Sequence, residues 1–358
     1  MDDVSDMILA TATRIFRDRV TPAVLDAAEN GMLDQPLWSE IETAGLSTAT
    51  FTEEQGGIAL PLGAALSLAR TSGEFTVPAP LVEALIAGRM LAASGLPAPA
   101  GILTVGPVLK DDRLTLARRG TQWVLSGTLR RIPWGRHAAA IVAVASEEDG
   151  GPRTVVIAPQ KVAREDRNWA NEPRDRFEFS ELLLADGQVG SKGKGVDVRA
   201  LHFEGALFRA AQIVGALDRT MSITLQHARD RVQFGRPVAS FQAVQQQLAE
   251  LACQVAAAAA ALDGAITADG GMFAIAAAKA RIGEGATEAT AIAHRICAAM
   301  GFSHEHPLHR STRRAWSWRD EFGTEVDWAR WLGDIVAARG GAGVWPLLTD
   351  PPGHFPSQ

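Results

Sequence analysis

The stretch Ala228-Arg229-Asp230-Arg231-Val232-Gln233-Phe234-Gly235-Arg236-Pro237-Val238-Ala239-Ser240-Phe241-Gln242 separates two long segments with helical periodicity. Before it, apolar residues recur at spacings of three and four, which predicts a helix with one apolar face: Leu207, Ala210, Val214, Leu217, Met221 and Leu225. Gly235-Arg236-Pro237 ends that helix, because proline and glycine interrupt helical backbone. Further helices are predicted over Phe241 to Ala268, Ala274 to Met300 and Glu325 to Ala338. Long helices in series indicate a helical bundle.

Working outward from this stretch, three zones of different texture predict an α+β fold. Residues 1–100 are rich in Ala and Leu at helical spacing and predict an N-terminal helical domain. Residues 101–195 contain short apolar runs separated by turns, including 114–118, 123–125, 138–145, 154–158, 177–179 and 182–184. These runs predict a small β-domain, a barrel or a sandwich. Residues 196–358 form the predicted C-terminal bundle.

Composition and charge exclude several classes of protein. The chain has 358 residues, of which 47% are hydrophobic, and this predicts a globular chain with a sizeable core. A net charge of −6 argues against a generally basic, nucleic-acid-binding surface. No uninterrupted apolar run of about twenty residues predicts a membrane span, and the acidic start does not resemble a signal peptide. Cys253 and Cys297 form no metal-type cluster or disulfide framework, so a cytoplasmic location is expected.

Three motifs, in order along the chain, resemble those of the acyl-CoA dehydrogenase family. The stretch from Ala228 to Gln242 resembles its Arg-x-x-Phe-Gly signature, with Gly215 at the family spacing upstream. Met300-Gly301-Phe302-Ser303-His304-Glu305-His306-Pro307 resembles its Gly-Tyr-x-x-Glu-x-Pro turn, and Glu53-Glu54-Gln55-Gly56-Gly57 is similar to its Pro-Glu-Glu-x-Gly-Gly. The resemblance covers almost the whole chain and implies the family fold, with an N-terminal helical domain, a middle β-domain and a C-terminal four-helix bundle.

The resemblance also implies a cofactor and partners. It implies FAD, an acyl-CoA thioester substrate, an electron-transfer flavoprotein as electron acceptor, and a dimer of dimers. Arg231 is expected to reach across a subunit interface to the FAD pyrophosphate, because a planar guanidinium suits phosphate oxygens. Phe234 and Phe241 are expected to pack on the cofactor, with Gln242 hydrogen-bonding nearby. The alternative is that Arg231 caps a helix end and that Phe234 is a core residue.

The catalytic base of the family is missing at both of its usual positions. The reaction needs a carboxylate within reach of the α-proton of the thioester. The Tyr-Glu-Gly-Thr turn of the family falls on Glu321-Phe322-Gly323-Thr324, which places Phe322 at the Glu position, and the earlier position falls on Gly205. Glu321 is the remaining candidate base and Glu204 neighbours the other position. The alternative is that both are solvated acids, paired with Arg319 or Arg209.

The cofactor-binding segments of the family are reduced as well. The loop Thr-Glu-Pro-x-x-Gly-Ser-Asp has no counterpart near Ile102–Gly106, and Pro133 replaces the threonine that would bind the flavin edge. The adenine-side Gln-x-x-Gly-Gly reads Arg295-Ile296-Cys297-Ala298-Ala299, so Arg295, Ala298 and Ala299 are its expected counterparts. Thr324 is the expected cofactor contact in the last turn. These losses resemble the smaller subunit of α2β2 members, in which a larger partner carries the base.

Three readings of function therefore remain open. The chain is expected to be an FAD-dependent acyl-CoA dehydrogenase subunit in fatty acid or steroid catabolism that needs a base-bearing partner. A second reading is a non-catalytic scaffold or regulatory chain that keeps the fold and the interface. A third is a homo-oligomeric enzyme that uses Glu321 as the base.

Three weaker patterns are predicted to have no chemistry of their own. His304-Glu305-His306 is expected to belong to the family turn rather than to a metal site. Gly190–Gly195 lacks the context of a phosphate loop and is expected to be a joint between domains. The cluster Arg310, Arg313, Arg314 and Arg319 is expected to be a solvated or ion-paired face, with Arg313 as an alternative contact for a phosphate.

Overall fold

The computed structural model describes residues 3–148 and 151–349. Residue contacts divide the chain into two compact units. The first contains the residues up to 68 together with 77–208, and the second contains 69–76 together with the residues from 209 onward. The predicted N-terminal helices and the predicted β-rich zone therefore share one unit. Asp149 and Gly150, part of a predicted polar turn, lie outside the described residues.

The helices of the first half are α1 Asp3–Arg19, α2 Pro22–Glu29, α3 Gln35–Thr43, α4 Leu62–Glu74 and α5 Leu81–Ser94. Two of them, α2 and α3, begin at capping residues. Thr21 caps α2, since its hydroxyl accepts a hydrogen bond from the amide of Val24 and proline follows at the first helical position. Asp34 caps α3 in the same way. Helix α5 is buried on almost every side, as expected for a helix that is apolar all round.

A six-stranded sheet follows α5 in the first unit. Its strands are β1 Leu103–Gly106, β2 Arg113–Arg119, β3 Gln122–Pro133, β4 Ala140–Glu147, β5 Pro152–Ile157 and β6 Arg174–Leu184. The order is β1-β4-β2-β3-β6, and β5 pairs with β4. Two predicted strands, 177–179 and 182–184, are parts of the single strand β6. Strand β1 was missed because it spans only four residues.

The second half is helical, apart from one short hairpin. The helices are α6 Val198–Asp230, α7 Gln242–Thr267, α8 Met272–Cys297, α9 Leu308–Arg319, α10 Glu325–Arg339 and α11 Val344–Thr349. The hairpin between α6 and α7 consists of β7 Val232–Gln233 and β8 Arg236–Pro237. Helix α7 begins and ends one residue inside its predicted range. The end of α8 was predicted too late, because residues Ala298–Phe302 form a 3₁₀ turn instead.

Two glycines let α4 and α6 cross with their backbones in contact inside the second unit. A Cβ atom at Gly215 would overlap the carbonyl oxygen of Arg70 and would lie 2.6 Å from the amide nitrogen of Glu74. A Cβ atom at Gly73 would overlap the carbonyl oxygen of Gln212. Each helix therefore supplies the glycine that admits the backbone of the other.

Helix α7 differs from its neighbours in how little of it is covered. It is long and apolar enough to cross a membrane by length and composition alone, and only 22% of its most apolar window is buried. One such helix is weak evidence for a membrane span. The sequence analysis predicted no membrane span because it considered only uninterrupted apolar runs. Its exposed residues include Ala252, Ala256 and Ala260.

Candidate functional site

The end of α6 and the hairpin that follows it present the signature residues at the surface. The carbonyl oxygen of Arg231 accepts a hydrogen bond from the amide of Val238 at 2.8 Å, which closes the hairpin. Phe234 lies in the turn with φ 53°, a left-handed conformation that is unusual for a bulky residue. Its side chain is 92% exposed. The alternative that Phe234 is a core residue is therefore wrong.

The aromatic residues of the signature lie side by side. The rings of Phe234 and Phe241 meet edge to face, with centroids 6.1 Å apart. The guanidinium of Arg236 lies over the Phe241 ring, 4.2 Å from its centroid, a cation–π arrangement that holds the ring in place. Gln242 is exposed at the first position of α7. The four residues predicted to contact the cofactor from this stretch, Arg231, Phe234, Phe241 and Gln242, thus lie together at the surface of the second unit.

A cleft of ≈ 550 Å³ brings this stretch next to the second family-like motif. Arg219, His227, Asp230 and Arg231 line it from α6 and its end. Met300, His306 and Pro307 line it from the loop after α8. The cleft thus collects residues of both motifs, with two guanidinium groups and one carboxylate among the charged groups on its walls.

The adenine-side counterparts lie at the end of α8. Arg295 is in the last turn, and Ala298 and Ala299 follow in the 3₁₀ turn; all three side chains are exposed. Ala298 has φ 49° and ψ −141°, a region that favours glycine. The backbone here keeps a conformation that suits the glycine of the family motif, although the residue is alanine.

Glu321 is not a solvated acid. Its side chain is fully buried, and its carboxylate accepts a hydrogen bond from Nε of Arg209 at 2.7 Å. Arg209 also donates to the side-chain oxygen of Gln212 at 2.5 Å. Of the pairings expected for Glu321, the one with Arg209 is therefore confirmed and the solvated environment is wrong. A carboxylate held in this way is occupied by a guanidinium rather than free to accept a proton from a substrate.

A buried amine lies beside this pair, and no sequence pattern had predicted it. Lys279 on α8 is fully buried, and its Nζ donates hydrogen bonds to the carbonyl oxygens of Trp318 at 2.8 Å and Arg319 at 3.0 Å. Burial lowers the pKa of Lys279 to about 7, which outweighs the opposing effect of the nearby Glu321 carboxylate. Lys279 therefore satisfies carbonyl groups at the end of α9, a position where cationic side chains are favourable.

The turn that would carry the family's glutamate is a packed corner. Phe322 is buried with φ 54°, and its carbonyl oxygen accepts a hydrogen bond from the indole of Trp328 at 3.1 Å. Thr324 is the N-cap of α10, since its hydroxyl accepts from the amide of Asp327 at 3.2 Å. The structure thus assigns Thr324 a capping role, and its predicted contact with a cofactor stays a prediction.

Glu204, the neighbour of the earlier base position, is also paired. Its carboxylate accepts a hydrogen bond from Nε of Arg89. Burial raises the pKa of Glu204 and prevails over the opposite effect of Arg89. Gly205 itself is buried and offers no side chain.

The predicted basic face on α9 is largely interior. Arg310 and Arg314 are buried, with 8% and 0% of their surface exposed, so a solvated face is wrong for both. The guanidinium of Arg314 donates to the carbonyl oxygen of Arg310 at 3.1 Å. Arg319 matches the ion-paired alternative, since it lies 3.0 Å from Asp320 and 3.6 Å from Glu325.

Comparisons with known proteins agree with this architecture. Residues 192–325 match the family described as "Acyl-CoA dehydrogenase, C-terminal domain". The acyl-CoA dehydrogenase IpdE2 of Mycobacterium tuberculosis is 26% identical over 314 residues, which cover 86% of this chain and 90% of that protein. The acyl-CoA dehydrogenase FadE27 of the same organism is 28% identical over 232 residues, which cover 61% of this chain and 62% of that protein.

Solved structures share the fold along nearly the whole chain. The ChsE4-ChsE5 complex from Mycobacterium tuberculosis superposes with a TM-score of 0.84 at 22% identity, covering 94% of this chain and 98% of that one. A variant of the Tcur3481-Tcur3483 steroid ACAD gives a TM-score of 0.80 at 24% identity, with the same coverage. The α+β class predicted from the sequence is therefore confirmed. The chain is therefore similar to acyl-CoA dehydrogenases: residues 192–325 match the C-terminal domain of that family, and the relatives and the fold agree with this match.

Proposed function

We propose that this chain is a subunit of an FAD-dependent acyl-CoA dehydrogenase that becomes active only with a related chain carrying the catalytic base. One observation carries the proposal. At the place of the usual glutamate stands the buried Phe322, and the neighbouring Glu321 is bound to Arg209. A phenyl ring cannot accept a proton, and a paired carboxylate in the interior is poorly placed to do so. The chain keeps the family fold without a free base at this position.

The residues at the hairpin fit the phosphate arm of the cofactor. When bound, FAD supplies the acceptor for the hydride that leaves the β-carbon of the thioester. Arg231 offers an exposed guanidinium at the edge of a cleft, which suits the bidentate binding of phosphate oxygens. Phe234 projects outward beside it, with 92% of its surface exposed. Because these side chains point away from their own unit, the cofactor they would hold is shared with another chain.

The uncovered side of α7 is the proposed surface for that chain. Large apolar residues are exposed at the hairpin and at the end of α8, namely Val232, Phe234, Met300 and Phe302. Contiguous exposed apolar surface marks association sites on soluble proteins. The structures that share this fold include one titled as a complex of two differently named chains, ChsE4 and ChsE5. A related chain is therefore the proposed occupant, in an α2β2 dimer of dimers. A homo-oligomeric dimer of dimers belongs to the third reading, in which Glu321 is the base.

For the substrate we propose a CoA thioester with a bulky acyl group. The support is one structural neighbour, the variant of the Tcur3481-Tcur3483 steroid ACAD. An electron-transfer flavoprotein is the proposed electron acceptor, and the cytoplasm is the proposed location. Turnover of a series of acyl-CoA thioesters, with and without added electron-transfer flavoprotein, tests the first two, and cell fractionation tests the third.

Flavin content and turnover of the chain alone and co-purified with its candidate partner test the main proposal. The chain alone is expected to be colourless, and the assembly is expected to be yellow and active. Arg231→Ala in the assembly is expected to lose flavin, whereas Arg229→Ala, an exposed arginine two residues away, is the matched control. Full flavin retention by the Arg231→Ala assembly contradicts the proposed role of Arg231. Turnover by the chain alone contradicts the need for a partner.

The absence of a free base at Phe322 also favours a second candidate, a scaffold or regulatory chain without turnover. An assembly whose turnover comes wholly from the partner's own sites supports that candidate. An assembly that loses its turnover with Arg231→Ala contradicts it. The third reading, with Glu321 as base in a homo-oligomer, requires that Glu321→Gln leave folding intact and abolish turnover.

A further inference from the structure

A histidine, a cysteine and a second histidine converge at the cleft, which the two histidines line. His227 lies in the last turn of α6, Cys297 is the last residue of α8, and His306 lies in the loop before α9. A ring nitrogen of each histidine and Sγ of Cys297 all lie within 4.8 Å of one another. The three residues come from separate elements, so no sequence spacing reveals them.

These distances match what a metal ion needs. Because no two of the three atoms are more than 4.8 Å apart, there is a point that lies within about 2.8 Å of all of them. Zinc binds histidine nitrogen at roughly 2.0–2.1 Å and cysteine sulfur at about 2.3 Å. Each ligand atom therefore needs to move by less than about 1 Å to reach bonding distance, within the range of side-chain rotation. No backbone rearrangement is required.

The surroundings hold the three side chains in place. The rings of His227 and His306 meet edge to face, with centroids 5.4 Å apart. Nδ1 of His306 accepts a long hydrogen bond of 3.4 Å from the amide of Leu308, which leaves Nε2 as the freer nitrogen. When Nε2 binds the metal, the ring proton moves to Nδ1, and only the long hydrogen bond from the amide of Leu308 is lost. The side chain of Thr224 lies beside the thiol of Cys297, and residues around metal ligands help to orient them.

The set of donors selects the class of metal. Two imidazoles and a thiolate suit zinc and similar transition metals, whereas calcium and magnesium prefer oxygen ligands. With three protein ligands, the fourth tetrahedral position stays open, as in zinc sites that bind water or substrate. His227 and His306 line the cleft, so this position faces it. Arg219 and Arg231 on the same walls favour an anion there, with Asp230 as the opposing charge.

We propose that His227, Cys297 and His306 form a binding site for a divalent transition metal of the zinc class, with its fourth position open to the cleft. None of these three ligands has a role in the proposed dehydrogenation, which requires no metal, although Arg231 lines the same cleft. It also differs from the His304–His306 pair considered in the sequence, because His306 is the only histidine common to both.

Cobalt(II) titration of the purified, chelator-treated protein tests the site. Co²⁺ in a tetrahedral site with a thiolate ligand is expected to produce intense visible bands and a sulfur-to-metal charge-transfer band in the near ultraviolet, and Zn²⁺ is expected to displace it. Cys297→Ser is expected to lose the charge-transfer band. Cys253→Ser removes the exposed cysteine on α7 and is the matched control.

Two more variants define the histidine ligands. His227→Ala and His306→Ala are each expected to weaken Co²⁺ binding by at least about tenfold, whereas His137→Ala, in the first unit, is expected to leave it unchanged. Thermal unfolding of the metal-free variants separates lost ligands from lost folding. A wild-type protein without a thiolate charge-transfer band overturns the proposal, and so does an unchanged spectrum in Cys297→Ser. Because these readouts need neither flavin nor turnover, they are independent of the proposed dehydrogenase function.

Discussion

Among single residues, the ion pair between Arg209 and Glu321 determines whether Glu321 can replace the missing catalytic base. Both charged groups are buried, and each is compensated by the opposite charge of the other instead of by water. Such a pair adds little net stability compared with apolar residues, but breaking it leaves a buried charge without compensation. The pair is therefore part of the interior of the second unit. This buried environment makes Glu321 different from an exposed carboxylate.

Glu321→Gln is expected to lower the free energy of unfolding by about 3–5 kcal/mol, because Arg209 would keep its charge in the interior. Denaturant unfolding measures this loss. The control is Glu181→Gln, which breaks the exposed pair between Arg119 and Glu181 and is expected to cost about 1 kcal/mol or less. Equal losses for the two variants contradict the interpretation.

Lys279 is expected to make stability depend on pH. Its pKa falls from 10.5 in the unfolded chain to about 7 in the folded protein. Between these values the unfolded chain holds the proton that the folded protein has released, so stability rises with pH from about 7 to 10.5. Below pH 7 both states are protonated and the cost of the buried charge is fully present. A neutral amine still donates two hydrogen bonds, enough for the two carbonyl oxygens it contacts.

Unfolding free energies of wild type and Lys279→Met, measured across this pH range, check the prediction. The difference between the two proteins should change in favour of the wild type as pH rises, because methionine does not titrate. A difference that is constant with pH contradicts the lowered pKa.

Much of the site was visible in the sequence only as separate motifs. Arg231, Phe234 and Gln242 follow one another in a recognisable signature, and the replacement of glutamate by Phe322 could be counted from it. The burial of Glu321, Arg310 and Arg314 could not be predicted, since charged residues on a helix are usually solvated. His227 and Cys297 are far apart in sequence, and only the packing of α6 against the end of α8 brings them together.

At the scale of elements, apolar periodicity predicted the long helices well and the short ones poorly. Helices α6 and α7 show regular apolar spacing and are followed by Gly and Pro, so their existence and the point where each ends were predicted. The start of α6 was predicted too late, at about Ala206 instead of Val198. Helix α9 was missed because its sequence, LHRSTRRAWSWR, contains four arginines and little apolar periodicity. In the structure two of these arginines are buried, which a pattern of polar and apolar residues cannot reveal. Strand β6 was split in two because Ser180 and Glu181 interrupt its apolar runs.

The crossing of α4 and α6 depends on Gly215. Gly215→Ala is expected to be strongly destabilising, because its methyl group would overlap the backbone at Arg70 and Glu74, which cannot rotate away. Gly333→Ala, at an exposed position of α10 with no neighbouring atom, is the control and is expected to stabilise by up to about 1 kcal/mol through helix propensity. Thermal unfolding should therefore move in opposite directions for the two variants. A Gly215→Ala protein as stable as the wild type would contradict this prediction, because it would mean that the two helices can move apart without loss of stability.

For the whole molecule, the exposed apolar residues support the proposal that the chain assembles with a partner. Phe234, Phe302 and Met300 are more exposed than large apolar residues usually are, and α7 beside the hairpin is thinly covered. Single exposed apolar residues need no explanation, but several of them on neighbouring segments do. The proposed partner chain accounts for all of them at once.

Phe234→Asp is expected to weaken or abolish assembly with the partner chain, because a carboxylate would have to be buried at the interface. Size-exclusion chromatography with light scattering on the co-purified proteins measures this. Met7→Asp is the control, since Met7 is an apolar residue of α1 with 63% exposure. An assembly that tolerates Phe234→Asp as well as Met7→Asp contradicts the proposed surface.

The reciprocal glycines of α4 and α6 also constrain how this chain can diverge. Neither Gly73 nor Gly215 can acquire a side chain while the other helix stays in place, and changing both makes the clash worse rather than relieving it. Substitution of either glycine is therefore excluded in any related protein in which the two helices cross in the same way. The pair should serve as a fixed landmark for aligning distant homologues, even where the residues of the catalytic turn have been lost.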